Sequence, residues 1–160
     1  MDENKNLHKM DNMGGISKLY LIKSADILYC GPGEGAYSLG LLNSESKTEL
    51  PVTQGSASFR ETDEDTADGT LFTLEISGKM PKTIPGDALF IREQAKHSLC
   101  IGFIDNNEIC WLAGYPGAYF DISITKDSGA AHADYNGVAL KINVSLVDAA
   151  IQVNSFEYYD

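Results

Sequence analysis

Residues 98–114 read SLCIGFIDNNEICWLAG: two apolar runs, rich in β-branched and aromatic side chains, meet at Asp105-Asn106-Asn107. Asn tolerates the positive φ of a tight reversal, so the stretch is read as a β-hairpin turning at Asn106 and Asn107. A two-residue turn sets Asp105 opposite Glu108, Phe103 opposite Cys110 and Ile101 opposite Leu112. Leu99, Ile101, Phe103, Cys110 and Leu112 then share one face, and Cys100, Ile104, Ile109 and Trp111 share the other. Both faces are apolar. Such a hairpin needs cover on both sides, from a second sheet or helix of the same chain or from a neighbouring subunit. The same register puts Cys100 and Cys110 on opposite faces, where they do not bond.

Downstream, residues 118–125 (AYFDISIT) alternate with Phe120, Ile122 and Ile124 inward. Residues 126–136 form a turn-rich loop. Residues 137–146 (GVALKINVSL) carry Val138, Leu140, Ile142, Val144 and Leu146 on one face, the period-2 pattern of a half-buried strand. A last edge strand is expected through Ile151 and Val153.

Upstream, residues 87–96 (DALFIREQAK) are the one good helix candidate. Asp87 suits its first turn, Ala88, Leu89, Ile91 and Arg92 offer a partial apolar face, and Lys96 and His97 suit its negative end. Residues 70–78 (TLFTLEISG) alternate with Phe72, Leu74 and Ile76 together. Residues 18–30 read as a kinked strand or two short ones around Lys23 to Asp26, and 31–40 (GPGEGAYSLG) as a glycine-rich loop. About seven strands and one short flanking helix make the expected fold mainly β, a β-sandwich or partly closed barrel. Residues 1–15 read as a flexible N-terminal arm and 16–160 as a single β domain.

The chain has 160 residues and 43% hydrophobic side chains, with 15 Gly and 5 Pro, so a packed core is the default. Its 23 acidic and 12 basic side chains leave a formal charge of −11. Affinity for DNA or RNA comes chiefly from Lys and Arg displacing counterions, so tight nucleic-acid binding is not expected. Three cysteines in no CxxC pair read as free thiols in a reducing compartment. The first fifteen residues lack the apolar core of a signal peptide, and the early apolar run 19–22 is too short to cross a membrane.

Residues 61–68 (ETDEDTAD) hold five carboxylates, which marks an exposed loop or a solvated strand edge. This stretch and the arm are expected to order between neighbours. Asp63, Asp65 and Asp68 before Gly69 resemble a calcium loop, but Ala67 stands where an oxygen ligand belongs and no Glu closes the loop. His8, His97 and His132 lack metal-ligand spacing. The loop 31–40 lacks the Lys and Ser/Thr of a phosphate-binding loop. Ser128, His132 and Asp134 lie in one loop, whereas a triad needs separate rigid elements. No catalytic residue, cofactor or metal is expected, and function is sought in surfaces.

A resemblance adds a role. The segment 56–77, Asp105-Asn106-Asn107 with Trp111-Leu112-Ala113-Gly114, the run 120–125, Asp127-Ser128-Gly129 and Asp134-Tyr135-Asn136-Gly137 resemble structural proteins encoded by phages and prophages of gut Bacteroides-type bacteria. In outline the chain is also similar to phage tail-tube subunits. The resemblance implies homo-oligomeric rings in a virion, partnered by copies of the chain and other virion proteins, with DNA passing through the lumen without binding tightly. The candidate assembly contacts are Glu61, Asp63, Asp65, Asp68, Trp111, Tyr115, Tyr119 and Tyr135. The alternative is a non-catalytic β-sandwich binding module for carbohydrate or protein, using Tyr115, Tyr119 and Tyr135.

Overall fold

The computed structural model describes residues 14–81, 87–127, 130 and 137–156. Residues 1–13 of the expected arm, Tyr135, and Ser128, His132 and Asp134 lie outside them. In chain order the strands are β1 Ile16–Lys23, β2 Ile27–Pro32, β3 Tyr37–Leu41, β4 Lys47–Leu50, β5 Ser58–Thr66, β6 Gly69–Pro81, β7 Leu99–Asp105, β8 Cys110–Ala118, β9 Asp121–Asp127, β10 Gly137–Leu146 and β11 Ile151–Val153, with helix α1 at Asp87–Gln94. A seven-stranded sheet runs β2-β3-β11-β8-β7-β1-β4 and a four-stranded sheet runs β5-β6-β10-β9. Over the described residues the fold is mainly β and sandwich-like with one short α-helix, and its sheets do not close into a barrel.

The space between the sheets is filled as the alternation requires. Leu74 and Ile76 of β6 and Leu140 and Ile142 of β10 are almost wholly buried against Leu19, Leu21, Ile101 and Phe103 of the larger sheet. Each such side chain contributes about 1.5–3 kcal/mol through burial. On the solvent face of the smaller sheet the facing positions are polar: Ser58 pairs with Ser77 at 3.1 Å and Thr73 with Ser145 at 3.3 Å.

The larger sheet encloses a second core by bending. β1 passes into β2 through the short 3-10 turn Ser24–Asp26, although β1 and β2 are far apart in the sheet order. Five strand spacings of a flat sheet would separate them by about 24 Å. The chain from Lys23 to Ile27 reaches about 14 Å at most. The sheet must therefore curl, and Tyr20, Ile22, Leu39, Leu41, Cys100, Leu112, Val153 and Phe156 pack together on its inner side. Lys47 ties the C-terminal segment across this core: its Nζ donates to the Phe156 carbonyl at 2.6 Å and lies 5.1 Å from the Tyr20 ring centroid.

The hairpin β7–β8 is covered on both faces, each time from within the chain, but its register differs from the expected one. Phe103 faces Trp111, Gly102 faces Leu112 and Ile104 faces Cys110. The cause is Asp105. Its Oδ1 accepts from the amides of Asn107 at 2.8 Å and Ile109 at 3.0 Å, while the Glu108 amide donates to the Asp105 carbonyl. This side-chain competition for the backbone lengthens the turn by one residue and puts Glu108 at φ 64. A one-residue slip reverses every side chain of β8. Trp111 and Ala113 consequently join Leu99, Ile101 and Phe103 between the sheets, and Cys110 and Leu112 join Cys100 and Ile104 in the second core. Cys100 and Cys110 share a face, contrary to the expected register.

Other expectations also shift. The stretch 31–40 is a loop only at its centre, because β2 extends to Pro32 and β3 begins at Tyr37. β11 is not an edge strand: it lies between β3, to which it is parallel, and β8, to which it is antiparallel. In α1 the buried residues are Ala88 and Ile91, while Leu89 is 62% exposed. The acidic stretch is a solvated strand edge, laddered regularly to β6 from Ser58↔Ser77 to Thr66↔Gly69. Its hydrogen bonds come from its own chain and do not wait for a neighbour. Gly15, expected in the free arm, is held as well, since its carbonyl accepts from the Asn106 amide at 3.1 Å.

Candidate functional site

Two surfaces stand out. The first is a cleft of about 340 Å³ at one end of the sandwich, where the β7–β8 turn, the start of β1, the middle of β5 and Ala150 meet. Phe59 and Phe103 stack in its wall, with ring centroids 4.6 Å apart and planes at 36°. Beside them stands Trp111, whose Nε1 donates to Asp105 Oδ2 at 3.2 Å, so one carboxylate fixes both the turn and the indole. From β5, Glu61 reaches across to the segment before β11, where its Oε2 accepts the Ala150 amide at 2.8 Å. Among the described residues the cleft is lined by two carboxylates and no Lys, Arg or His.

The second surface is the ribbon β2–β3 and the residue after it. Among the described residues Leu28, Tyr29, Tyr37 and Leu42 are large apolar side chains left exposed there. The register shifts between Ile27 and Tyr29, so Leu28 is the extra residue of a bulge, and bulges re-aim side chains. Edge strands are usually blunted by charge. β4 carries Lys47 and Glu49, β5 carries Arg60, Glu61, Asp63, Glu64 and Asp65, and β9 carries Asp121, Lys126 and Asp127. β2 (ILYCGP) carries no charge.

The candidate residues from sequence divide accordingly. Glu61 and Trp111 come together in the cleft. Asp63, Asp65 and Asp68 continue along the exposed β5–β6 hairpin, where Asp65 Oδ1 accepts from Thr70 Oγ1 at 2.9 Å. Tyr115 is half-buried against the second core and Tyr119 is 72% exposed. Sequence reading missed Phe59, Phe103 and Asp105 as cleft residues; the spacing from Asp105 to Trp111 across a turn was the available signal. No three His, Cys, Asp or Glu side chains converge as a metal site among the described residues.

Cys30, Cys100 and Cys110 are free thiols on the curled side of the larger sheet. Burial, with a smaller contribution from nearby Cys30, pushes the Cys100 thiol up to about 12 from an ordinary 9.0. A thiol protonated in the folded state and ionised in the unfolded chain favours unfolding as pH rises. The native state is therefore expected to lose stability from about pH 9 towards pH 12. Denaturant midpoints across that range should flatten in Cys100→Ala relative to the parent; an unchanged slope would remove this thiol as the cause.

No protein-family model matches the chain. Neither a curated protein nor a solved structure matches it. Its surfaces are read on their own chemistry.

Proposed function

We propose that this protein is a structural subunit that assembles with copies of itself, of the phage tail-tube type, forming homo-oligomeric rings in a virion. The observation that carries this reading is the uncharged β2 edge with its exposed Leu28, Tyr29, Tyr37 and Leu42, in a chain whose formal charge is −11. Copies with that charge repel each other over most of their surface, and an apolar, charge-free ribbon is where they can approach. Exposed Leu89 and Phe90 on α1 supply a second apolar patch on a different element. Contact between two different patches is heterologous, and heterologous contacts close into rings when the rotation allows. An acidic surface also suits DNA that passes without sticking.

The test is solution mass. The full-length chain is expected to sediment as a multiple of its 17.4 kDa. Leu28→Glu with Leu42→Glu should reduce it to a single chain while leaving its melting temperature within a few degrees, because both side chains are exposed in the subunit. Leu89→Glu with Phe90→Glu should do the same if the contact is heterologous. A parent chain that stays monomeric at micromolar concentration would sink the reading. It would favour the second one, a non-catalytic binding module, which rests on the Trp111 cleft.

A further inference from the structure

We propose that the Trp111 cleft binds an organic cation, an ammonium or guanidinium group on a short apolar stem. The inference is independent of self-assembly and rests on how the polar groups of the cleft are already engaged. Asp105 accepts three N–H groups, from Asn107, Ile109 and Trp111, and all three donors are neutral. Its negative charge has no counter-charge among the described residues that line the cleft. Glu61 is engaged on one side only: Oε2 takes the Ala150 amide, while Oε1 has no partner among the described residues.

The aromatic side of the cleft selects in the same direction. Because the indole N–H is already engaged by Asp105, Trp111 has no donor to offer a ligand hydroxyl, and what it adds to the cleft lining is aromatic character. A tryptophan face is the best aromatic partner for a cation, and a carboxylate within reach adds a charge-assisted hydrogen bond. The stacked Phe59 and Phe103 give an apolar stem a wall to lie against. A neutral sugar would leave both carboxylates uncompensated and would find the indole N–H already taken. At about 340 Å³ the cleft is of small-ligand size.

Two sources can supply this chemistry: a free amine, or a basic side chain of the chain itself. Lys5 and Lys9 precede Gly14 in sequence, and Gly15 borders the cleft.

Trp111 is the single tryptophan of the chain, so its fluorescence reports on the cleft alone. Full-length protein is titrated with agmatine at constant ionic strength, with methyl glucoside as the neutral probe. A saturable change in emission is expected with agmatine at about 1 mM, the strength of a fragment-sized ligand. Glu61→Gln keeps an oxygen for the Ala150 amide but removes the charge, and should weaken agmatine about tenfold. Lys5→Gln with Lys9→Gln should tighten agmatine if those lysines occupy the cleft, and leave it unchanged if the cation comes from outside. Absence of a saturable response in both the parent and the Lys5→Gln, Lys9→Gln variant, an equal response to methyl glucoside, or equal affinity in Glu61→Gln would overturn the assignment, whatever the oligomeric state.

Discussion

Replacing Gly114 by alanine is expected to destabilise the protein by about 3–4 kcal/mol and to lower its melting temperature by about 10 °C. Gly114 lies in β8 at φ +87, a conformation that costs a side-chain-bearing residue about 1–2 kcal/mol. The added methyl would also stand 2.6 Å from Phe120 Cζ and 2.9 Å from its Cε2. Phe120 is buried between the sheets and cannot swing into solvent, so the core must shift, at a further cost of about 1–3 kcal/mol. Gly55 separates the two contributions. It has a similar φ of +79, but a methyl added there would meet nothing within 4 Å, so Gly55→Ala should cost only the backbone part. Urea unfolding followed by Trp111 fluorescence measures both, and equal losses would show that Phe120 accommodates the methyl.

Asp105→Ala should cost about 3 kcal/mol, close to the Gly114 variant. Three N–H donors lose their acceptor at once, and a hydrogen bond to a charged group is worth about 1.5–3 kcal/mol before exposure discounts it. The discount matters because the group is only partly buried. Asp105→Asn provides the finer comparison. An amide oxygen still accepts the two turn amides, but its NH₂ then points at the Trp111 N–H, donor against donor. A loss of about 1 kcal/mol is expected there, with a shifted Trp111 emission. If Asn and Ala destabilised equally, the charge itself, rather than the turn bonds, would be holding the hairpin.

The sequence spoke clearly where one side of a strand meets a core and the other meets water. β6 and β10 alternate for that reason, and the inward residues Leu74, Ile76, Leu140 and Ile142 were all legible. Strands of three to five residues have no room to show a period. β3 (YSLGL) vanishes into a glycine-rich stretch, and β11 reads as an edge because it is the last apolar run in sequence, although its neighbours β3 and β8 are remote in sequence. The hairpin register failed on one atom: Asn106-Asn107 suggests a two-residue turn, while Asp105 Oδ1 imposes a longer one. In the cleft, Glu61 stood out for its acidic neighbours and Trp111 for its size. Their meeting, and the part played by Phe59 and Asp105, depends on the larger sheet packing across β5, which no local pattern reveals.

The place of β11 has a further consequence for how the chain is made. During synthesis, β3 and β8 leave the ribosome with no partner between them, since Ile151–Val153 comes later than either. At about 5–20 residues per second, the stretch from the end of β8 to the end of β11 takes roughly 2–7 s to synthesise. Until β11 is inserted, any sheet that has already formed has two unpaired edges, on β3 and β8, facing the gap that β11 fills, the kind of template on which another chain can pair. The seven-stranded sheet becomes continuous only when the last of its strands in sequence is inserted, so premature termination before Ile151 leaves a divided sheet rather than a shortened one.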